Sequence, residues 1–300
     1  MSVNSAVVVG IDETAPSMNA VRWAASLAAQ RNRELRLVHV VDDIMLTLPR
    51  SLPTQENLHD VVLARGHRLL AKARDAAREV APEVRLHVEL ARGRAVDVLR
   101  RESETARLLV LGTPGLRPLG RFLVGSVTIA LAAHAACPVA VVRPHAADDL
   151  PPADGPVVVG VDGSASSEQA IGLAFEEASW RGAPLVALHS WDEPFVAAIF
   201  EEARLLLDRP MVEAHEREVL SQRLAGWQEK FPEVHVDPMV ARGSASERLL
   251  DYADRAQLLV VGSRGRGGLS GMLLGSTSQT VLSYALCPVI VARPATGGKS

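Results

Sequence analysis

The sequence has few cysteines, few aromatic residues and no block of like charges. Its 300 residues include only two cysteines, Cys137 and Cys287, which excludes a disulfide framework and a clustered zinc site and favours a reducing compartment. Aromatic residues make up 4%, so we expect an aliphatic core. Lys plus Arg number 32 and Asp plus Glu 35, a net charge of −3. That balance argues against nucleic acid or an anionic membrane as a partner.

Long apolar segments that could enter a membrane are also scarce. Met1–Gly10 has no basic region and only a three-valine run, so we expect no signal peptide and predict a cytoplasmic protein. Phe122–Val142 has no charged residue and is long enough to span a bilayer. It contains Pro138, which separates a helix-like part from a valine-rich, strand-like part. We therefore expect no membrane span.

The main feature of the sequence is a copy of itself at an offset of 150 residues. Val7–Asp12 recurs as Val157–Asp162, and the constant offset predicts two copies of one domain. Further pairs at this offset are His39 and His189, Ala91–Gly93 and Ala241–Gly243, Gly125–Ser126 and Gly275–Ser276, and Cys137–Pro138 and Cys287–Pro288. The predicted boundaries are 1–144 for the first domain, 145–156 for a linker rich in Pro, Ala and Asp, 157–294 for the second domain and 295–300 for a tail.

Each half alternates short apolar runs with longer segments of helical period, which is typical of βαβ units around a buried parallel sheet. In the first half we predict strands at Ala6–Ile11, Leu35–Val41, Val84–Leu90, Leu108–Leu111 and Val139–Val142, and helices at Ser17–Gln30, Asn57–Ala81, Ala95–Thr105 and Ser126–His134. The second half repeats this pattern, with its long helix restarting at Pro210. The sequence thus predicts an α/β fold of two tandem Rossmann-like domains, each with a five-stranded parallel sheet and helices on both faces. Such sheets bind ligands at the carboxyl ends of their strands.

Glycines follow the predicted fourth strand of each half at the same spacing. Residues 112–126 and 262–276 both obey G-x2-G-x9-G-S. Glycine leaves backbone N–H groups unshielded, and Ser126 and Ser276 are expected N-caps of the next helix, whose first turn attracts anions. We interpret both loops as phosphate cradles rather than flexible loops. Valine at Gly262 or Gly275 is expected to forbid positive φ and block binding while the fold survives.

Two other glycine motifs do not fit. The only Gly-Lys-Ser, at residues 298–300, has Arg293 where a Walker A loop needs its first glycine. A dinucleotide fingerprint follows the first strand of a βαβ unit, whereas these glycines follow the fourth.

Carboxylates follow the first strand of each half. Asp12 and Asp162 are expected to face the same crevice as the glycine loops, where a carboxylate either accepts hydrogen bonds from ribose or caps the next helix. Val40 and Ser190 lie just past the second strand, where main-chain groups could contact adenine. We interpret the repeated histidines and cysteines as structural.

These segments resemble the universal stress protein family, in its tandem nucleotide-binding form, over nearly all of both halves. The resemblance implies a strand order of 3-2-1-4-5 and ATP as the ligand. Separately, we expect a homodimer and Mg²⁺ bound together with ATP. The resemblance assigns ribose to Asp12 and Asp162. It places Gly10, Val40, Gly160 and Ser190 on the adenine side. The phosphate ligands it implies are Gly112, Thr113, Gly115, Gly125, Ser126, Gly262, Ser263, Arg264, Gly265, Arg266, Gly267, Gly268, Gly275, Ser276 and Thr277.

The resemblance is less complete in the first loop, so the first site is expected to be the weaker one. Prolines there remove backbone donors, and a leucine replaces a cation. The departures are Pro114 in place of Arg264, Leu116 in place of Arg266 and Pro118 in place of Gly268.

The function expected from these features is that of an ATP-binding regulator in stress or dormancy, acting through an unknown protein partner. The rival is an ATPase or nucleotidyl transferase in which Asp12 or Asp162 holds Mg²⁺. No G-x-S-x-G or H-E-x-x-H motif is present, so no residue is assigned to catalysis. Turnover of ATP in the presence of Mg²⁺ separates the two hypotheses.

Overall fold

A computed structural model describes residues 6–42, 55–113, 124–143, 153–191, 209–265 and 274–293. The chain divides into two compact units, Met1–Pro151 with Arg293–Ser300, and Pro152–Ala292. This confirms two tandem α/β domains. The exact domain limits stay a prediction, and most of the predicted linker and the predicted tail at 295–300 lie outside the described residues.

The first unit contains five parallel strands in the order β3-β2-β1-β4-β5, which confirms the predicted order. Its sheet order reverses between β1 and β4, which places the carboxyl ends of those two strands at a crevice. The elements are β1 (Ala6–Ile11), α1 (Ala15–Gln30), β2 (Leu35–Val41), α2 (Gln55–Val80), β3 (Leu86–Arg92), α3 (Ala95–Ser103), β4 (Ala106–Gly112), α4 (Ser126–His134) and β5 (Val139–Val142).

The second unit repeats this topology with strand order β8-β7-β6-β9-β10, again parallel. Pro210 is the second residue of its long helix, as predicted for a first-turn proline. The elements are β6 (Val157–Val161), α5 (Ala165–Arg181), β7 (Leu185–Trp191), α6 (Arg209–Lys230), β8 (Val236–Arg242), α7 (Ala245–Ala253), β9 (Leu258–Gly262), α8 (Ser276–Tyr284) and β10 (Val289–Ala292).

Several predicted boundaries shift by about two residues, and pairing explains the shifts. Strand β3 ends at Arg92 rather than Leu90 because it pairs along its whole length with β2, out to Val41. Strand β4 is longer than predicted because β1 pairs with its start and β5 with its end. Helix α1 begins at Ala15 rather than Ser17, with a proline in its first turn, where the missing N–H group would have no helical partner.

The core is mainly aliphatic, as expected, but the second unit adds an aromatic cluster. The three valines of β1 and those of β6 are fully buried. Phe175 on α5 is also fully buried, and its ring centroid lies 6.2 Å from Trp227 and 5.9 Å from Phe231. A Cβ at Gly172 would lie 2.4 Å from the Trp227 ring, so this glycine makes room for the cluster. The expectation of a purely aliphatic core is therefore wrong for the second unit.

Both cysteines lie in the interior, which agrees with their structural interpretation. Cys137 and Cys287 are both buried and form no disulfide with each other, and burial raises the pKa of the Cys137 thiol to about 12. A thiol with so high a pKa is a poor nucleophile at neutral pH.

Among the described helices, none is long and apolar enough to cross a membrane.

Candidate functional site

In the second unit, the carboxyl ends of three strands and the first turn of a helix surround one cavity. Its volume is about 330 Å³. The strands are β6, β7 and β9, and the helix is α8, so the cavity lies at the predicted crevice where the strand order reverses. The residues lining it that the sequence had predicted are Gly160, Asp162, Ser190, Gly262, Arg264, Gly265, Gly275, Ser276 and Thr277.

The first turn of α8 forms one wall of the cavity. Gly275, not Ser276, is the N-cap, with φ −66°, ψ 150° and no side-chain cap. Gly125 likewise caps α4, so the expectation that Ser126 and Ser276 are N-caps is wrong. Both serines are instead the first helical residues. The first N–H groups of a helix have no partner within it, so this uncapped turn presents donors and the positive end of the helix dipole to the cavity.

Hydrogen bonds between its two ends close the glycine loop. The Gly275 N–H donates to the Ser263 carbonyl at 2.9 Å, and the Ser278 hydroxyl donates to the Gly262 carbonyl at 2.6 Å. These bonds bring the end of β9 against the start of α8. Ser263 itself is buried and donates its N–H to Ala292, and it is not among the residues that line the cavity.

Asp162 lies between the end of β6 and the glycine loop. Its Oδ1 accepts the Ser164 N–H at 2.9 Å, and its own N–H donates to the Ser167 hydroxyl at 3.1 Å. The N-cap of α5 is Ser164, so the alternative role of Asp162 as a helix cap is wrong. A Cβ at Gly265 would lie 2.5 Å from Asp162 Oδ2. Any side chain at Gly265 would therefore force the Asp162 carboxylate or the loop to move.

The opposite wall of the cavity is apolar, and most of its members were not predicted from the sequence. Leu188, Leu249 and Val261 line it, together with Ala245 at the start of α7. A signal for two of them was present, since Leu249 repeats Leu99 and Ala245 repeats Ala95 at the constant offset. An apolar wall beside a few polar groups is typical of a small-molecule site.

Val40 and Ser190 lie inside strands β2 and β7 rather than just past them. Ser190 lines the cavity, and its hydroxyl donates to the Gly243 carbonyl. That bond joins the ends of β7 and β8. These positions belong to the strands because β2 has the predicted limits, Leu35–Val41, and β7 pairs with β8 out to Trp191.

The charged side chains that line the described part of the cavity are Asp162 and Arg264. His189 does not line it: its Nδ1 lies 2.7 Å from the Val161 carbonyl and its Nε2 lies 2.9 Å from Glu216. His39 makes the equivalent contact with Ile11 at 2.8 Å. Both histidines thus join neighbouring elements, in agreement with a structural role. No cluster of three or more potential metal ligands occurs among the described residues.

Comparison with known proteins identifies the family. The model of the Universal stress protein family matches residues 4–143 and 155–293. The chain belongs to the universal stress protein family. A universal stress protein of Mycobacterium tuberculosis strain H37Rv is 41% identical over 290 residues, which cover 96% of each chain. One from Mycolicibacterium smegmatis is 37% identical over 300 residues, covering 96% of this chain and 97% of the relative.

A solved structure shows the same fold over the whole chain. The crystal structure of a universal stress protein from Archaeoglobus fulgidus superposes with a TM-score of 0.71 at 19% identity, covering 98% of this chain and 99% of the other. The double α/β architecture of this universal stress protein is therefore shared with a relative of low sequence identity.

The first unit of this universal stress protein carries the equivalent residues on equivalent elements. Gly10 and Asp12 stand at the end of β1, Gly112 closes β4, and Gly125 caps α4. Thr113 is buried, and its hydroxyl accepts a hydrogen bond from Arg143 Nε at 3.4 Å. Several predicted phosphate ligands and the residues that distinguish the first loop lie outside the described residues: Gly115, Arg266, Gly267, Gly268, Pro114, Leu116 and Pro118.

Proposed function

We propose that this universal stress protein is an ATP-binding regulator of a stress or dormancy response, and that its second unit carries the stronger nucleotide site. The observation that supports this most is the convergence of three chemically different walls on one cavity: a carboxylate, an apolar face and the uncapped turn of α8. A nucleotide has three matching parts, which are ribose hydroxyls that donate to a carboxylate, a flat base and anionic phosphates.

The residues present fit that ligand. Asp162 would accept hydrogen bonds from ribose, and the base would lie against Leu249 and the strand ends at Gly160 and Ser190. The phosphates would lie between the glycine loop and the first turn of α8. The loop lies close to Asp162 because Gly265 has no side chain, and a Cβ there would collide with the carboxylate. Mg²⁺ bound with the triphosphate would neutralise part of its charge.

The direct test is to denature the purified protein and identify released nucleotide by chromatography and ultraviolet absorbance. We expect an adenine nucleotide, with ATP bound again when it is added back. Absence of released nucleotide together with absence of ATP binding by calorimetry would overturn the proposal. We also propose that the protein is a cytoplasmic homodimer, and that its protein partner distinguishes the ATP-bound form from the ATP-free form. Light scattering and pull-downs with and without ATP test those parts.

We predict that the site binds ATP without rapid turnover. Asp162 is the one carboxylate among the described residues that line the cavity, and its Oδ1 already accepts the Ser164 N–H. A general base must reach the attacking water, and no second candidate is placed there by the described residues. Release of phosphate from ATP with Mg²⁺ should remain well below about 1 s⁻¹, the low end of typical enzyme rates. A faster rate would favour the ATPase hypothesis.

A further inference from the structure

Two serines at the start of α5, Ser164 and Ser166, hold the glycine loop of the second unit through the backbone groups of a single residue, Arg264. The Ser166 hydroxyl donates to the Arg264 carbonyl and accepts the Arg264 N–H at 3.3 Å. The Ser164 hydroxyl lies 3.2 Å from the same carbonyl. We refer to these residues as the serine pair. Ser166 is only 7% exposed, so the two bonds of its hydroxyl are largely shielded from water.

The serine pair completes a series of bonds to three successive carbonyls. Gly262 is bonded by Ser278, Ser263 by Gly275, and Arg264 by the serine pair. Carbonyl oxygens repel phosphate, so a loop that binds phosphate must keep them turned away from it. In a trans peptide the C=O and the following N–H point in opposite directions. The serine pair holds the Arg264 carbonyl towards α5. The Gly265 N–H belongs to the same peptide group and therefore points away from the serine pair, and Gly265 lines the cavity.

The first unit lacks this arrangement. Pro16 stands in place of Ser166 and has no hydroxyl, and Thr14 stands in place of Ser164. The Thr14 hydroxyl is bonded instead to Asp12 Oδ1 at 2.5 Å. The serine pair is thus a feature of the second unit and not a requirement of the fold that the two units share.

We propose that the serine pair positions the glycine loop for phosphate, so that it raises the affinity for ATP without affecting the affinity for adenosine. This inference rests on the proposed function. Preorganised donors bind more tightly than donors that must first be oriented, because the cost of ordering is met on folding. Adenosine lacks phosphate and would contact only the carboxylate and the apolar wall.

The test is calorimetry with ATP and with adenosine, on a chain whose first site is blocked by Gly125→Val. Ser166→Ala should weaken ATP binding about three- to tenfold, the effect of one or two lost hydrogen bonds, and leave adenosine affinity within about twofold. The matched control is Ser221→Ala, which also removes a hydroxyl bonded to a carbonyl, that of Arg217 at 2.8 Å, but lies on α6. It should change neither affinity.

A second pair of variants keeps the test valid if Ser166→Ala folds poorly. These variants are Ser166→Thr and Ser166→Val. The two side chains have nearly the same shape, but threonine has a hydroxyl where valine has a methyl group, so only the threonine variant should retain the preference for ATP. Equal losses for ATP and adenosine, or no difference between the threonine and valine variants, would overturn the role of the serine pair. Failure of the parent chain to bind either ligand would instead overturn the proposed function on which it rests.

Discussion

Replacing Gly275 by valine is expected to remove ATP binding from the second unit, lowering its affinity by about a hundredfold or more. A Cβ at this position would lie 3.4 Å from the Arg264 Cα and 3.6 Å from the Gly265 nitrogen. These are ordinary contacts, so the residue fits, but its two methyl groups would extend into the space between the loop and the first turn of α8. Its φ of −66° and ψ of 150° suit valine. Loss of a glycine N-cap costs on the order of 1 kcal/mol of helix stability, so the domain should stay folded.

Gly125→Val in the first unit is the matched control. Among the described residues, the atom nearest to a Cβ there is the Thr128 hydroxyl, at 3.9 Å. The substitution should block the first site and leave the second unchanged. Calorimetry on Gly125→Val, Gly275→Val and the double variant, each with a thermal melt, separates binding from folding. Unchanged ATP affinity when Gly275→Val is added to Gly125→Val would show that phosphate does not lie at α8.

The structure also shows that Gly262 is not equivalent to Gly275 as a test. A Cβ at Gly262 would lie 2.6 Å from the Ser166 hydroxyl and 3.0 Å from its carbonyl carbon. Valine there would press on the start of α5, so Gly262→Val is expected to disturb the fold more than Gly275→Val and is the weaker test of binding. Neither glycine has the left-handed backbone that the sequence argument assumed. Gly262 is required because a Cβ there lacks space, whereas a side chain at Gly275 fits but would enter the space expected for phosphate.

The two sites should differ in affinity, with the second tighter by about five- to thirtyfold, or roughly 1 to 2 kcal/mol. The sequence predicts a weaker first site because Pro114 and Pro118 remove backbone donors from the first loop. The structure adds an independent reason. The Ser166 hydroxyl orients the second loop, and Pro16, at the corresponding position of the first unit, has no hydroxyl. Val127 also stands in place of Thr277, which lines the second cavity.

Titrating ATP into Gly125→Val measures the second site alone, and titrating it into Gly275→Val measures the first. A tighter constant in Gly125→Val is expected. Equal constants, or a tighter first site, would contradict the prediction and would mean that the prolines and the missing hydroxyl remove no donor that phosphate uses. Pro16→Ser, which adds the missing hydroxyl, gives a further comparison for the first site.

Much of the fold was predictable because its signals are local. Three valines and a glycine before Asp12 indicate a buried strand end, and the same run before Asp162 indicates a second copy. Each predicted strand matches an observed one, and α4 agrees to the residue. The sequence also predicted that Asp162 and the glycine loop face one crevice, and Asp162 and Gly265 line the same cavity. Backbone motifs of this kind depend on spacing along the chain, which the sequence displays directly.

What only the tertiary structure decided are contacts between residues far apart in the chain. The Ser166 hydroxyl and the Arg264 peptide are 98 positions apart, and nothing in either local pattern relates them. The apolar wall at Leu249 also brings together residues that are far apart in the chain. So does the aromatic cluster around Phe175, whose three members stand in place of alanines of the first unit. Patterns of hydrophobicity and glycine spacing determine which elements form and in what order. Which side chains meet at the ends of those elements depends on how the sheet brings its strands together, because hydrogen bonds and packing act over a few ångströms of space and not along the sequence.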